Sequence, residues 1–508
     1  MNFNVYPGQT TAIVGESGSG KTVTSTAVMG LLPPSGKIIS GEITGVNNLN
    51  YLKNGAPVGT EISMVFQDPM SSLNPSMRVG NQVGESLRVH LGLNKYEATQ
   101  KVIELFTEVE LPSPKDTLNK YPHELSGGQK QRIMIAMALA CEPSILVADE
   151  PTTALDVTVQ AKILKLLQKL QKERNLGVLF ISHDLEVIRS IAQHVTVMKF
   201  GEIVEQGSCE NVLDHPTHPY TIELINSRPK KIYEDKMTHL QSLIEVKNLS
   251  FEYTLSRNVW GNSIRSFKAV DNVSFIINRG ERVGVVGESG CGKSTLGRLM
   301  LGIENPNKGE VIWRSEVLRV EDGKSMKKFR REAQPVFQDP YSALNPRIKI
   351  GEALCEAIRQ RVEGKKMSRS QQLEEAQALL VEVGLQKDDV DKYPSSFSGG
   401  MRQRIVLARA LAVKPILLIL DESVAALDLR IQSQILKLLS EIQRNRSLSY
   451  MFISHDLDVI RAVCDRVLVM KDGIIIEEGS TDEVFNSPVD AYTKHLLESR
   501  PGKLNFAS

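Results

Sequence analysis

The sequence predicts an α/β fold written twice along 508 residues, each copy a parallel sheet whose strands alternate with amphipathic helices. Three observations carry this. Apolar runs of strand length (TAIVG at 11–15, SILVADE at 144–150, VGVVG at 283–287, ILLILDE at 416–422) alternate with helical patterns. Two of these runs open directly into a glycine-rich octet of the form G-x-x-x-x-G-K-[ST]. Landmarks also recur at one interval: Lys293 follows Lys21 by 272 positions, as Gly399 follows Gly127, Asp421 follows Asp149, Asp428 follows Asp156 and His455 follows His183. Gln338 follows Gln67 by 271, so one domain occurs twice with a single slip between phosphate loop and glutamine.

The predicted copies run over 1–228 and 243–508, the second ending in a short tail, with a polar linker at 229–242. They do not begin alike. NFNVYPGQT at 2–10 lies over SFIINRGER at 274–282, so the first copy opens inside a strand and the counterpart of LIEVKNLSFEY (243–253) would precede residue 1. Either translation starts upstream or the product lacks its first strand. In each copy the stretch after the glutamine, 68–124 and 339–396, is helix-rich with charged outer faces and is expected to form an inserted helical subdomain. Ile163, Leu166, Leu167 and Leu170, and likewise Ile435, Leu438, Leu439 and Ile442, have the spacing of a helix face packed on a sheet.

Composition narrows the function. Apolar residues at 41% and charged residues at 24% describe a soluble globular chain. A formal net charge of +1 provides no basic footprint for nucleic acid. The apolar run Ile416–Leu420 is far shorter than the roughly 18 residues a spanning helix needs, and MNFNVYPGQT does not have the form of a secretory signal. Cysteines 141, 209, 291, 355 and 464 are scattered without a C-x-x-C pair and read as reduced thiols.

The octets carry the first chemistry. GESGSGKT comprises Gly15, Glu16, Ser17, Gly18, Ser19, Gly20, Lys21 and Thr22; GESGCGKS comprises Gly287, Glu288, Ser289, Gly290, Cys291, Gly292, Lys293 and Ser294, followed by Thr295. Glycines let backbone N–H groups turn onto phosphate oxygens at a helix N-terminus. Lys21 and Lys293 would reach the β- and γ-phosphates, and Thr22 and Ser294 would offer hydroxyls to Mg²⁺. Each lysine is followed 128 residues later by an acidic strand end, Asp149-Glu150 and Asp421-Glu422. Asp149 and Asp421 suit Mg²⁺; Glu150 and Glu422 are placed to orient or deprotonate an attacking water. Ser126, Gly127 and Gly128, and Ser398, Gly399 and Gly400, stand before a helix as a second anion cradle.

The series GxxxxGK[ST], Gln, LSGGQ, a strand ending in Asp-Glu, ALD and ISHD resembles the ATP-binding cassette of ABC transporters, over essentially the whole chain. VFQDPMSSLNP (65–75), VFQDPYSALNP (336–346), THPYTIELINSRP (217–229) and DAYTKHLLESRP (490–501) resemble more narrowly the peptide and nickel importer branch, whose fused ATPases serve glutathione-type and oligopeptide import. The resemblance implies two ABC ATPase domains, each with a parallel-sheet core, a helical insert and an antiparallel β portion, the first truncated at its start. It implies ATP and Mg²⁺ as cofactors, bound head to tail, with Gly15–Thr22 facing Ser398–Gly400 and Gly287–Ser294 facing Ser126–Gly128. Gln67 and Gln338 would sense Mg²⁺ and water, and His183 and His455 would hold the γ-phosphate. Tyr253 is the expected adenine-stacking residue, with Trp260 and Phe267 as alternatives; the first copy has no counterpart, so its site is expected to bind ATP about one to two decades more weakly.

The second signature reads FSGGM and the second acidic motif DES, which implies two active but unequal sites. Nothing after Cys464 supplies the cysteine cluster that some relatives use for an iron–sulfur centre, and none is expected. The function so implied is the peripheral ATPase of an importer at the cytoplasmic face of the inner membrane. Two transmembrane permease subunits, and indirectly a periplasmic or extracellular solute-binding protein, would be its partners, with no second ATPase chain and no nucleic acid. The rival is a soluble twin-cassette ATPase acting on ribosomes or DNA, which the short linker and the FQDP blocks argue against.

Overall fold

The computed structural model describes residues 1–45, 49–152, 155–227, 231–232, 241–257, 263–319, 321–337, 339–361, 366–424 and 427–503. Most of the expected linker, together with Gln338 and Trp260, lies outside them. The chain divides into two compact units: unit 1 is Met1–Ser227 with Ser499–Ser508, and unit 2 is Arg228–Glu498.

Unit 1 is built on six strands, β1 (Thr10–Val14), β2 (Ile62–Val65), β3 (Ile145–Asp149), β4 (Gly177–Ile181), β5 (His194–Lys199) and β6 (Glu202–Ser208). Their order is β2-β3-β4-β1-β5-β6, parallel except for β6. The short strands are apolar because helices cover both faces, as parallel sheets require. Alternation sorts β1: Ala12 and Val14 pack with Leu185, Ile188 and Val195, while Ile13 packs on the other side with Met29, Leu179 and Met198. Parallel pairing also sets the ends level, with Ile13 and Asp149 both beside Ile181.

The helical insert of unit 1 carries helices Val79–Leu91 and Lys95–Glu108. Asn94 starts the second, closing a reciprocal capping box with Glu97. Val83, Leu87, Val102, Leu105 and Phe106 bury their side chains with Ile133 and Met134 of helix Gly127–Leu139. Ile163, Leu166, Leu167 and Leu170 of helix Val157–Arg174 are buried against the same core, as their spacing predicts. A two-pronged Arg174–Glu108 pair, at 2.7 and 2.6 Å, ties that helix to the insert; Arg446–Glu382 repeats it in unit 2.

Unit 2 opens with a sheet that has no equivalent among the described residues of unit 1: β7 (Ser242–Arg257), β8 (Ser263–Asn278), β10 (Lys308–Trp313) and β11 (Glu316–Val317) pair antiparallel in the order β11-β10-β7-β8. Its main sheet repeats unit 1 with β9 (Arg282–Val286), β12 (Ala333–Val336), β13 (Leu417–Asp421), β14 (Ser449–Ile453), β15 (Arg466–Lys471) and β16 (Ile474–Ser480), ordered β12-β13-β14-β9-β15-β16. Ile435, Leu438, Leu439 and Ile442 are buried in helix Leu429–Arg446.

At the exit of β9 the chain passes so close to β15 that a Cβ on Gly287 would lie 2.2 Å from the Met470 carbonyl oxygen; the same atom on Gly15 would lie 2.3 Å from that of Met198. A backbone oxygen inside a sheet cannot step aside. Gly287→Ala is therefore expected to destabilise unit 2 by about 2 kcal/mol or more, read from denaturant unfolding, whereas Gly399→Ala, which meets open space, is expected to leave stability nearly unchanged.

Candidate active site

Apart from Ser126–Gly128, which open helix Gly127–Leu139 after the insert, the candidate residues of unit 1 follow the carboxyl ends of parallel strands, where such folds place ligands. β1 ends in Val14 and leads into the phosphate loop, which closes on helix Lys21–Val28. Gly20, at φ 99°, makes the turn into that helix, as Gly292 does at φ 105° before helix Lys293–Met300. Lys21 is only 6% exposed and Lys293 5%. Each folds back on its own loop: Lys21 Nζ donates to the carbonyls of Gly15 at 2.8 Å and Glu16 at 2.9 Å, and Lys293 Nζ to those of Gly287 and Glu288, both at 2.8 Å. A buried ammonium needs such partners, and phosphate oxygens are their natural replacement.

β3 delivers Asp149 into this interior. Its carboxylate is buried; Oδ2 lies 3.4 Å from the Ser25 hydroxyl, and Oδ1 has no hydrogen-bond partner. Burial, then the neighbouring charge of Glu150, push the Asp149 pKa up, offset in part by the hydroxyls of Thr22 and Ser25 and by Lys21. Asp421 stands likewise at the end of β13, where Oδ1 accepts from the Ser294 hydroxyl at 3.0 Å, and burial raises its pKa. Tyr253 of β7 places its hydroxyl 3.4 Å from the Thr295 hydroxyl and its ring edge-on to Phe251, beside the loop. Phe267 pairs with it across the strands and is 47% exposed.

The residue after each of these aspartates departs from strand geometry. Glu150 has φ 46° and Glu422 φ 48°, a left-handed backbone uncommon for glutamate. The turn is held from the next strand, by Glu150 N–H on the Ile181 carbonyl at 2.9 Å and Glu422 N–H on that of Ile453 at 2.8 Å. It swings the Glu150 side chain between Gln67, whose amide donates at 3.0 Å, and His183, whose Nδ1 lies 3.1 Å away. Glu422 meets His455 Nδ1 at 3.4 Å. The His455 hydrogen bond holds the Glu422 carboxyl below its usual range against burial. Burial alone would lower His455, but the Glu422 carboxylate outweighs it and raises the imidazole above its ordinary value.

The signature serines cap their helices: Ser126 Oγ accepts the Gln129 N–H while Gln129 returns the bond to Ser126 N–H, and Ser398 Oγ accepts from Met401 N–H. The paired glycines divide their labour. A Cβ on Gly128 would press within 2.5 Å of Val159, and one on Gly400 within 2.5 Å of Ile431, so these positions are close helix contacts. Gly127 has only ordinary contact with Leu155 and Gly399 has none, leaving the first turn of each helix open to a ligand.

Sequence reasoning assigned no role to Ser25, or to the two tyrosines whose hydroxyls take loop N–H groups, Tyr220 on Glu16 at 3.1 Å and Tyr492 on Glu288 at 2.9 Å. The tyrosines also lie 272 positions apart, and the repeat interval marks them.

A glycine loop opening a helix, a lysine within it and an aspartate at the end of a parallel strand two places along the sheet define a P-loop nucleotide-binding protein, present in each unit. A family model described as ABC transporter matches residues 1–153 and again 270–425, and one described as oligopeptide/dipeptide transporter, C-terminal region, matches 204–245 and 476–503. The chain is 38% identical over 538 residues to the glutathione import ATP-binding protein GsiA of Pectobacterium atrosepticum, covering 99% of this chain and 86% of the relative. It is 41% identical over 505 residues to the peptidoglycan transport ATP-binding protein YejF of Agrobacterium fabrum, with 98% and 91% covered. The chain belongs to the ABC transporter family, as one of its ATP-binding ATPases. The crystal structure of archaeal ribosome recycling factor aABCE1 with the stalk protein aP1 matches at TM-score 0.63 and 21% identity over 95% of this chain and 87% of that one, a likeness of fold alone. Among the described residues no helix is long and apolar enough to cross a membrane.

The shifts of Glu422 and His455 set a pH window. A lowered carboxyl favours the folded state above its ordinary range and loses that contribution as pH falls through the lowered value; a raised imidazole favours it below about 6.5 and loses it as pH rises through the raised value. The pair therefore contributes most between those limits. NMR titration of nucleotide-free protein is expected to place His455 above 6.5, with Glu422→Gln bringing it down; a His455 titrating at or below 6.5 before substitution would contradict the pairing.

Proposed function

We propose that this chain is the ATP-hydrolysing subunit of an importer for peptide-like solutes, glutathione or a di- or oligopeptide, working on two permease subunits at the cytoplasmic face of the inner membrane and fed by a solute-binding protein outside. The observation that carries this reading is the oligopeptide/dipeptide C-terminal region following both cassettes, supported by relatives whose names record glutathione and peptidoglycan transport. The ribosomal rival has only a fold likeness at 21% identity. In unit 2 a cleft of about 620 Å³ separates helix Gly323–Glu332, which brings Lys327, Arg330 and Arg331, from the helical insert, which brings Glu356 and Gln360.

In each unit the phosphate loop would receive the triphosphate, Lys21 and Lys293 exchanging their loop carbonyls for β- and γ-phosphate oxygens. The donor sets fit Mg²⁺: Asp149 presents a buried oxygen with no other partner beside Thr22, and Ser294 and Asp421 stand together. When bound, that ion would neutralise charge developing on the transferred phosphoryl group. Glu150, gripped by Gln67 and His183, would orient the attacking water and draw its proton, with Glu422 and His455 repeating the arrangement and Gln338 the expected counterpart of Gln67. Ser126 and Gly127, and Ser398 and Gly399, would offer open helix N-termini to a nucleotide, while Gly128 and Gly400 serve helix packing. Tyr253 would stack on the base of the second nucleotide.

Two outcomes are expected. Asp149→Asn removes a buried charge and is expected to keep or raise the melting temperature without ligand, yet to lose the additional stabilisation that Mg²⁺ brings to ATP at the first site, as read by thermal shift in a Lys293→Ala background. Cells relying on this importer for a peptide or glutathione as sulfur source are expected to stop growing with Glu150→Gln and Glu422→Gln combined, the protein remaining membrane-associated; association with ribosomal particles instead of permeases in a pull-down would turn the reading to its rival.

A further inference from the structure

In both units a tyrosine 204 residues downstream reaches back to the start of the phosphate loop: Tyr220 Oη accepts the Glu16 N–H at 3.1 Å, and Tyr492 Oη accepts the Glu288 N–H at 2.9 Å. Each ring lies under the lysine that ends the strand beside the loop, with Lys199 Nζ 4.5 Å from the Tyr220 centroid and Lys471 Nζ 5.0 Å from that of Tyr492. Each tyrosine sits at the start of a helix whose approach is anchored by a strand carboxylate. Glu205 of β6 accepts from the N–H and hydroxyl of Thr217 at 2.8 and 2.9 Å and from His218 N–H at 3.2 Å; Glu477 of β16 accepts from the N–H groups of Val489 at 2.8 Å and Asp490 at 3.0 Å. Carboxylate, tyrosine, lysine and loop amide all recur at the 272-residue interval, so the arrangement occurs twice within one chain.

The same peptide is held from both ends. Its N–H, of Glu16 or Glu288, is on the tyrosine, while its carbonyl, of Gly15 or Gly287, is on Lys21 or Lys293. If the lysine moves to phosphate, as the proposed function requires, the carbonyl is released and the tyrosine remains the tether of the loop's second residue. We infer that Tyr220 and Tyr492 are positioning residues for nucleotide binding, through which the C-terminal region of each cassette keeps its phosphate loop in the receptive shape while the lysine changes partners. Both tyrosines and their anchoring glutamates lie within the matched oligopeptide/dipeptide C-terminal region, which gives that region a task at the ATP site.

The inference rests on the phosphate loops binding ATP, and its test separates the two. The intact chain is compared with Tyr220→Phe/Tyr492→Phe, which keeps both rings under their lysines and removes only the hydroxyls. One hydrogen bond per loop corresponds to an ATP KM raised about three- to tenfold, with kcat within twofold of the parent and an unchanged melting temperature without nucleotide. Binding of a fluorescent ATP analogue is expected to weaken in proportion. Unchanged KM and unchanged analogue binding in the double variant would overturn the inference and leave the proposed function standing, as would a parallel fall in kcat and melting temperature, the mark of a packing role. A Tyr220→Leu/Tyr492→Leu protein separates ring from hydroxyl: if only it loses nucleotide affinity, the hydroxyl tether is wrong. A parent chain that binds no ATP analogue at all would remove both readings together.

Discussion

A carboxylate buried at the end of β3, with one oxygen left without a hydrogen-bond partner, is the feature to which the rest of the first cassette answers; in the second, Asp421 takes that place with Oδ1 on the Ser294 hydroxyl. Burying Asp149 costs free energy that nothing in the nucleotide-free chain fully returns, and its raised pKa is the sign of that cost. The cost persists because the parallel sheet over-determines the position: β3 lies between β2 and β4, both faces are covered, and the strand cannot slide without taking its whole hydrophobic set out of register. Around that fixed charge the neighbouring strand ends supply what an anionic nucleotide and a cation would need. A lysine waits on loop carbonyls, and a glutamate is turned out of the strand by a left-handed backbone. Histidine and glutamine then close on that glutamate.

Duplication makes the molecule its own comparison. Features present in both units at the same interval, such as the folded-back lysines, the left-handed glutamates, the arginine–glutamate forks and the tyrosine tethers, belong to the design of the cassette. Features present once distinguish the sites. The antiparallel sheet that carries Tyr253 to the phosphate loop belongs to unit 2, with no equivalent among the described residues of unit 1. Cys291, where unit 1 has Ser19, is buried, and that burial pushes its thiol pKa up against the pull of Lys293. The two units thus differ at Tyr253 and, within the phosphate loop, at Cys291 against Ser19.

Much of this was legible before any coordinates. The phosphate loops, the acidic strand ends and the amphipathic helix at Ile163–Leu170 are contiguous or periodic, and local backbone chemistry dictates them. The roles expected of Gln67, sensing Mg²⁺ and water, and of His183, holding the γ-phosphate, came from resemblance; that both side chains meet Glu150 is seen only in the structure. Other aspects were not legible. Gly127 and Gly128 look equivalent in the signature, yet one has only ordinary contact with Leu155 and the other abuts Val159. Tyr220 and Tyr492 recur at the repeat interval, but a hydrogen bond to a residue 204 positions away leaves no local pattern that would give them a role.

The amino-acid order by itself determined that a nucleotide-binding domain occurs twice, where the glycine octets lie and which acids end the strands, since each depends on a few neighbouring positions and on glycine's freedom of backbone. Only the tertiary structure decided which side chains meet: that Glu150 lies between Gln67 and His183, that the lysines rest on their own loops, and that the last helices reach back to the first turn of the nucleotide site. The reason is geometric. A parallel sheet collects strand ends from distant parts of the chain along one edge, and contacts across that edge depend on strand order and register, which no local stretch of sequence encodes.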